Sequence, residues 1–361
     1  MNYQDNANFW HGKRVLLTGH TGFKGSWLVM MLKKLGADVC GISLEPPTDP
    51  SLYEIAGIER FVESYVCDIR DDKRTMEIFN QFMPEIVLHL AAQPIVGYSY
   101  KHPGETYSVN VMGTLNVLEA IRSTPSVRVG VMITTDKCYQ NNEWVWGYRE
   151  TDTLGGYDPY SSSKAAAEIL ISSYRSSYFS GDESQVCLVS ARAGNVIGGG
   201  DWGEDRLIPD IMNSVLHNEP IMLRNENAVR PWQHVLDPLS AYLQLAQAGY
   251  VSKSKFSGAW NFGPDVKGAR NVSWITERIL ELWGGSEEIK KCKAEAYKET
   301  NYLKLDCTKA HELLDWRPVW EVDHTVERIV DWYKAYQEGQ DMYEISCMQI
   351  EDFLSISRNQ Q

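Results

Sequence analysis

The stretch "RVLLTGHTGFKGSWLVMMLKKLG", residues 14–36, decides how the rest of the chain is read. Its apolar opening, 14–19, has the composition of a buried strand, and 24–36 then takes up an amphipathic helical pattern. Gly19, Gly22 and Gly25 fall in the turn between them. The first permits a sharp bend, the second lets backbone approach a pyrophosphate, and the third lets the helix pack close to the strand. A helix that starts directly after such a turn offers free N–H groups and a partial positive charge to phosphates. The strand–turn–helix setting makes the glycine spacing a dinucleotide signal. Gly19, Thr21, Gly22, Phe23 and Gly25 are therefore expected to cradle a dinucleotide.

Working outward, short β-rich runs at 38–44, 61–69, 85–92, 128–135 and 185–195 alternate with helical patterns at 71–83, 105–123 and 160–178. That rhythm predicts an α/β fold: a Rossmann-type doubly wound parallel sheet with helices on both faces. A Gly-rich segment, "GNVIGGGDWGED" (194–205), opens a more irregular region with later helices near 272–284, 306–315 and 322–337 and a strand-like run at 252–263. The expected organisation is a dinucleotide-binding domain over 1–194, to which segments near 232–263 return. A smaller mixed α/β C-terminal substrate lobe is expected over most of 195–361.

The second strand of such a sheet commonly ends in an acid that grips the adenosine ribose. Here that place falls on Ser43, with no arginine nearby to receive a 2′-phosphate, so the expected cofactor is NAD. Asp68 and Ile69 end the third strand and are placed to meet the adenine, and the small Ala91 and Ala92 end the fourth, where a cofactor passes closely. The 361 residues carry a net charge of −13, which argues against broad nucleic-acid or anionic-membrane binding. Seven cysteines are scattered singly with no CxxC pair, as in a reducing cytoplasm. The N-terminal residues lack a signal-peptide core, no apolar run is long enough to span a bilayer, and no metal is called for.

"YSSSK" sets Tyr160 and Lys164 four apart, one turn apart on a single helix face. A neighbouring ammonium and an oxidised nicotinamide favour the phenolate, making the tyrosine a usable base. Upstream, "TTDKCYQ" (134–140) closes a buried-strand run with two hydroxyls, a carboxylate and an amine. TGxxGxxG, a strand-end Thr135 and YxxxK, in that order, resemble the extended short-chain dehydrogenase/reductase family over nearly the whole chain. The stretch "LDCTKAHELLDWRP" (305–318) is similar to that family's late signature.

The resemblance implies roles. Within the family, sugar-nucleotide 4,6-dehydratases carry an acidic Asp-Glu pair after the strand-end threonine, where this chain has Asp136-Lys137. Lys at the second place is similar to the branch that acts on CDP-glucose, so the implied substrate is CDP-glucose and the second lobe binds a nucleotide-sugar. Thr135 would hold the 4-oxygen, Tyr160 take the 4-hydroxyl proton and Lys164 orient the nicotinamide ribose. Lys137 would take the carbon-5 proton and Asp136 assist loss of the 6-hydroxyl. A lysine base needs burial or neighbouring positive charge to lose its proton.

On the substrate side the resemblance implies Gln93, Asn195, Arg206 with Leu207, Arg230 and His234. Arginines suit bidentate phosphate contact. Asp201, Trp202, Trp232 and His234 are candidates for reading cytosine, although Trp and His could equally fill the lobe interface. Trp144 and Trp146 could form a lid, a subunit contact or core. The resemblance further implies a homodimer or homotetramer paired through helices near 105–123 and 160–178, and a product entering deoxysugar and surface-polysaccharide synthesis. Three readings compete: this dehydration, a dTDP-glucose dehydratase or 4-epimerase on the same scaffold, and a dinucleotide sensor without catalysis. Asp136-Lys137 argues against the second, and intact Thr135, Tyr160 and Lys164 against the third.

Overall fold

In the computed structural model, residues 8–181, 184–264, 268–285, 287–291 and 303–359 are described. Seven strands form the main sheet: β1 (Arg14–Thr18), β2 (Asp38–Ser43), β3 (Glu63–Val66), β4 (Ile86–His89), β5 (Val129–Ile133), β6 (Cys187–Ala193) and β7 (Gly258–Phe262). They lie in the order 7-6-5-4-1-2-3, and every pair is parallel. Order 3-2-1-4-5-6 is that of a doubly wound dinucleotide fold, so the crevice for a ligand opens where the order reverses, between β1 and β4. Strands buried on both faces read as apolar runs, as β5 ("VGVMI") does, and all five of its residues are buried.

The helices α1 (Phe23–Lys34), α2 (Asp72–Phe82), α3 (Thr114–Ser123) and α4 (Pro159–Tyr178) follow β1, β3, β4 and β5 in sequence. α4 starts where it does because Pro159 fits the first turn and Asp158 caps it, accepting a 2.9 Å bond from Ser161 N–H. α5 (Leu236–Val251) packs under β5 and β6 before the chain returns to the sheet as β7. Two further helices, α6 (Val322–Gln337) and α7 (Met342–Asn359), close the chain.

Three expectations change. α1 is not amphipathic: Gly25 to Leu32 are all buried. Its second face is covered by α7, which the sequence reading did not anticipate, with Lys34 paired to Glu351 at the rim. The single helix expected over 105–123 is three pieces, Pro103–Tyr107, a π-helical Ser108–Gly113 and α3. The widened turn lets Asn110 face inward, donating to Gln93 O and Ser163 Oγ, and sets Gly113 against Ile69, where a Cβ would come within 2.5 Å. The run at 252–263 divides into a short helix, Lys253–Phe256, and β7.

Candidate active site

The glycine turn is built for close approach. Gly19 has φ 79°, and a Cβ there would stand 2.8 Å from Ala91 N. At Gly25 a Cβ would stand 2.0 Å from Gly19 O, inside the turn itself. Gly22 precedes α1 without capping it by a side chain, and no acid occupies the first turn, so the N-terminal N–H groups are left for an anion. These features fit a dinucleotide diphosphate. Replacing Gly25 with Ala is expected to abolish NAD binding in calorimetry and to lower stability by about 3 kcal/mol in denaturant titration, because backbone must move. An unchanged affinity would remove the turn from the cofactor site.

Around it, Thr21 Oγ1 lies 2.7 Å from Ser43 Oγ and donates to Leu44 O, so a hydroxyl pair stands at the end of β2. Asp68 is engaged by Arg70, which donates to it through both its backbone N–H and its guanidinium. The Asp68 carboxyl is held below its usual range chiefly by those bonds. Phe23 packs toward Gly198, and Ala91 N–H donates to Thr18 Oγ1, while Ala92 is half-buried beside it. His20, unremarked in the sequence reading, is fully buried with Nε2 2.7 Å from Ser64 Oγ. Burial pushes its imidazole down to about 4, so it is neutral.

At the end of β5 the chain turns through a 3-10 segment, Asp136–Cys138, capped by Thr135, whose hydroxyl accepts from Lys137 N–H. Asp136 and Cys138 point inward and Lys137 outward. Asp136 is 3% exposed, accepts a 3.0 Å bond from Thr135 Oγ1 and lies against Gly194, where a Cβ would meet its carboxylate at 2.1 Å. Gly194→Ala is accordingly expected to displace Asp136 and cut turnover about 10²-fold with NAD binding retained, as kinetics and calorimetry would show.

Tyr160 is buried beside this turn. Burial drives its hydroxyl up to about 12, with Thr135 and Arg206 pulling the other way. Enclosure thus outweighs the favourable charges at this hydroxyl. Lys164, one turn on and also buried, is brought down to about 8 by that enclosure, against Glu168, which raises it.

Lys137, the expected base at carbon 5, has an exposed side chain. Lys24, on the first turn of α1, is half-buried and feels the charge of Asp136. Burial first, then Arg206, bring its ammonium down to about 8, and Asp136 acts in the opposite direction. The sequence reading passed over Lys24 because nothing in the chain order shows that α1 opens onto the end of β5.

On the opposite wall, Asn195 has φ 51° after β6, and its carbonyl accepts from Gln233 N–H. Arg206 is paired with Asp201 at 3.0 Å and its charge reaches Tyr160. Leu207, next to it, is half-buried against the core. Arg230 lies half-buried on a short strand, Val229–Pro231, antiparallel to Ala269–Asn271. His234 is a correction: it is 0% exposed, wedged between Trp27 and Trp320, and so has no surface to offer a substrate. Trp232 is likewise enclosed, donating to Arg270 O. Gln93 is turned into its own loop, donating to Thr106 Oγ1 and accepting from Ile95 N–H. Trp144 stacks on Tyr148 as part of a small core, while Trp146 is 68% exposed.

A glycine turn at one strand and a buried Tyr–Lys helix beside another, on this parallel sheet, define a short-chain dehydrogenase/reductase site. The chain belongs to the GDP-mannose 4,6 dehydratase family, whose model matches residues 16–329. It is 49% identical over 351 residues to a CDP-glucose 4,6-dehydratase of Salmonella typhimurium, covering 96% of this chain and 98% of that protein. It is 26% identical to a dTDP-glucose 4,6-dehydratase of Neisseria gonorrhoeae, covering 89% and 95%. Among solved structures, a UDP-glucose 4-epimerase of Thermus thermophilus complexed with NAD superposes with TM-score 0.74 at 26% identity, covering 89% of this chain and 99% of that one. DesIV, a dTDP-glucose 4,6-dehydratase from Streptomyces venezuelae, shares the fold with TM-score 0.78 at 21% identity, covering 91% and 99%.

Proposed function

We infer that the chain converts CDP-glucose to CDP-4-keto-6-deoxyglucose, a 4,6-dehydration with NAD as cofactor. The observation that carries this reading is the Thr135–Asp136–Lys137 turn beside buried Tyr160. Simple oxidation or epimerisation at carbon 4 needs only a tyrosine and a hydroxyl. Loss of water needs an acid and a base as well; Asp136 and Lys137 on this turn are the pair assigned to it, and Lys137, exposed in this structure, acts as the base only when bound nucleotide-sugar encloses it. The 49% identity to a CDP-glucose dehydratase supports the nucleotide.

Bound NAD would supply the hydride acceptor for carbon 4 and, reduced, the hydride donor for carbon 6. Tyr160 takes the 4-hydroxyl proton, and Thr135 holds the resulting 4-oxygen. The ketone acidifies carbon 5, so Lys137 can remove that proton while Asp136 protonates the 6-hydroxyl, which leaves as water. Lys137 returns its proton to carbon 5, and the protein is restored when the proton Tyr160 took from the 4-hydroxyl is passed to Asp136, which gave one to the departing water. Gly19, Thr21, Gly22, Phe23, Gly25, Ser43, Asp68, Ile69, Ala91 and Ala92 hold the dinucleotide. Asn195, Arg206, Leu207 and Arg230 hold the sugar nucleotide, in a lobe drawn mainly from 195–361.

The same reading pairs protomers through the Pro103–Ser123 region and α4 into a homodimer or homotetramer. Met112, Ile169 and Tyr178, each at least half exposed there, support it. It also places the protein in the cytoplasm. Six described cysteines are buried with no disulfide among the described residues, where no helix is long and apolar enough to cross a membrane. The product would feed deoxysugar synthesis for surface polysaccharide.

Incubation with CDP-glucose and with dTDP-glucose, followed by the absorbance of 4-keto-6-deoxy sugars in alkali, tests the reading. CDP-glucose is expected to be preferred on the order of 10²-fold in kcat/KM. Equal or reversed preference would overturn the nucleotide assignment, and no keto product from either would overturn the reaction.

A further inference from the structure

Beneath the reacting groups lies a buried ion pair that the proposed steps do not use. Glu168 follows Lys164 by one turn of α4, so Tyr160, Lys164 and Glu168 run along one helix face. Glu168 is 2% exposed, and its two oxygens are fully engaged. One accepts from Thr134 Oγ1 at 2.5 Å, the other from Ser190 Oγ at 2.8 Å and Arg192 Nη2 at 2.7 Å. Thr134 is the residue before Thr135, and its own N–H donates to Ala191 O on β6. Arg192 is braced in turn: Nη1 donates to Tyr139 Oη at 2.7 Å, and Tyr139 donates to Asn261 on β7. The pair thus ties α4, β5, β6 and β7 together under the site.

Stability is the plain explanation, but a buried ion pair is often replaceable by apolar residues of similar volume without loss. Its position says more than its existence. We propose that Glu168 is a positioning residue of the reaction: it anchors the strand end that presents Thr135 and supplies the negative charge one turn behind Lys164. The inference rests on the Tyr160–Lys164 reading above.

The charges facing Lys164 are few. From its own helix come Tyr160 and Glu168, from the strand-end turn Cys138, from α1 Lys24, and from β4 the neutral His89. Glu168 is the carboxylate that holds the Lys164 ammonium up against burial. With it, the ammonium survives burial; without it, burial and Lys24 both act to strip the proton. Lys164 must be protonated to hold the nicotinamide ribose, so activity and NAD affinity should stop gaining, or fall, once pH passes its titration near 8. Loss of Glu168 moves that break to lower pH.

The experiment compares Glu168→Gln, the volume-keeping pair Glu168→Met with Arg192→Met, and Arg192→Lys, which leaves the carboxylate. Two quantities are followed against pH: kcat, and the NAD dissociation constant by calorimetry. In the first two variants the break is expected to fall on the order of one pH unit, with kcat reduced about tenfold, while Arg192→Lys keeps the parent's break. A double variant that folds, as judged by its melting curve, and keeps both the break and kcat overturns the proposal. So does an Arg192→Lys variant that shifts as far as the others, since that would make the pair's geometry rather than the carboxylate responsible. If Glu168→Gln alone fails to fold, the double variant decides. The NAD measurement needs no sugar, so failure of the CDP-glucose assignment leaves this test standing.

Discussion

Replacing Tyr160 with Phe is expected to lower kcat by about 10³-fold while leaving NAD binding and the melting temperature near those of the parent. The change removes one oxygen. The ring stays in a pocket where it is only 8% exposed, and Thr135 keeps its bond to Asp136. What disappears is the group assigned to accept the 4-hydroxyl proton. The pH dependence gives a second check. Burial pushes the Tyr160 hydroxyl up to about 12, so its phenolate fraction grows tenfold per pH unit below that value. Turnover of the parent should therefore climb with pH until Lys164 begins to lose its proton near 8, where the gain ceases. The bound nicotinamide's positive charge shifts the phenolate equilibrium in the favourable direction without changing the sign of the slope. Undiminished turnover in the Phe variant would end the assignment of Tyr160 as base.

The second large effect belongs to the strand-end turn. Lys137→Ala should cut formation of the 4-keto-6-deoxy product by 10²- to 10⁴-fold yet leave oxidation at carbon 4 intact. On mixing with CDP-glucose, the variant is expected to develop the near-ultraviolet absorbance of reduced nicotinamide and hold it. In the parent that signal should be transient. Lys137 lies on the exposed side of the turn, whereas Asp136 is enclosed, so the alanine change should leave the fold and the Thr135–Asp136 bond undisturbed. A structural role is thereby separated from a chemical one. Normal product from the variant would transfer the carbon-5 step to another group, with Lys24 the nearest alternative on electrostatic grounds.

Much of this was legible in the chain because the relevant signals are local. The glycine turn must follow a strand and open a helix, and these constraints occupy adjacent residues, 14–25. Tyr160 and Lys164 share a helix face by spacing alone. The parallel sheet follows from alternating strands and helices, and the crevice from strand order. Site residues carried over by likeness fared less evenly. Asp136 and Arg206 do converge near Tyr160, since each acts on its hydroxyl. His234 sits in "RPWQH", a stretch that also holds Arg230, yet it belongs to a separate strand, Gln233–His234, buried at both residues, and its ring lies in the core between Trp27 and Trp320.

By itself the sequence determined the fold class, the dinucleotide turn and the order of the reacting groups, because each is written in spacings of a few residues. Tertiary structure alone decided that α1 is buried from Gly25 to Leu32, that Lys24 is half-buried while Lys137 is exposed, and that Glu168 stands under Lys164 while gripping Thr134. Those facts depend on segments far apart in the chain packing together, and on which side of a short turn faces inward. Burial sets the desolvation that moves a proton's equilibrium, and burial is a property of the whole fold rather than of any one stretch of it.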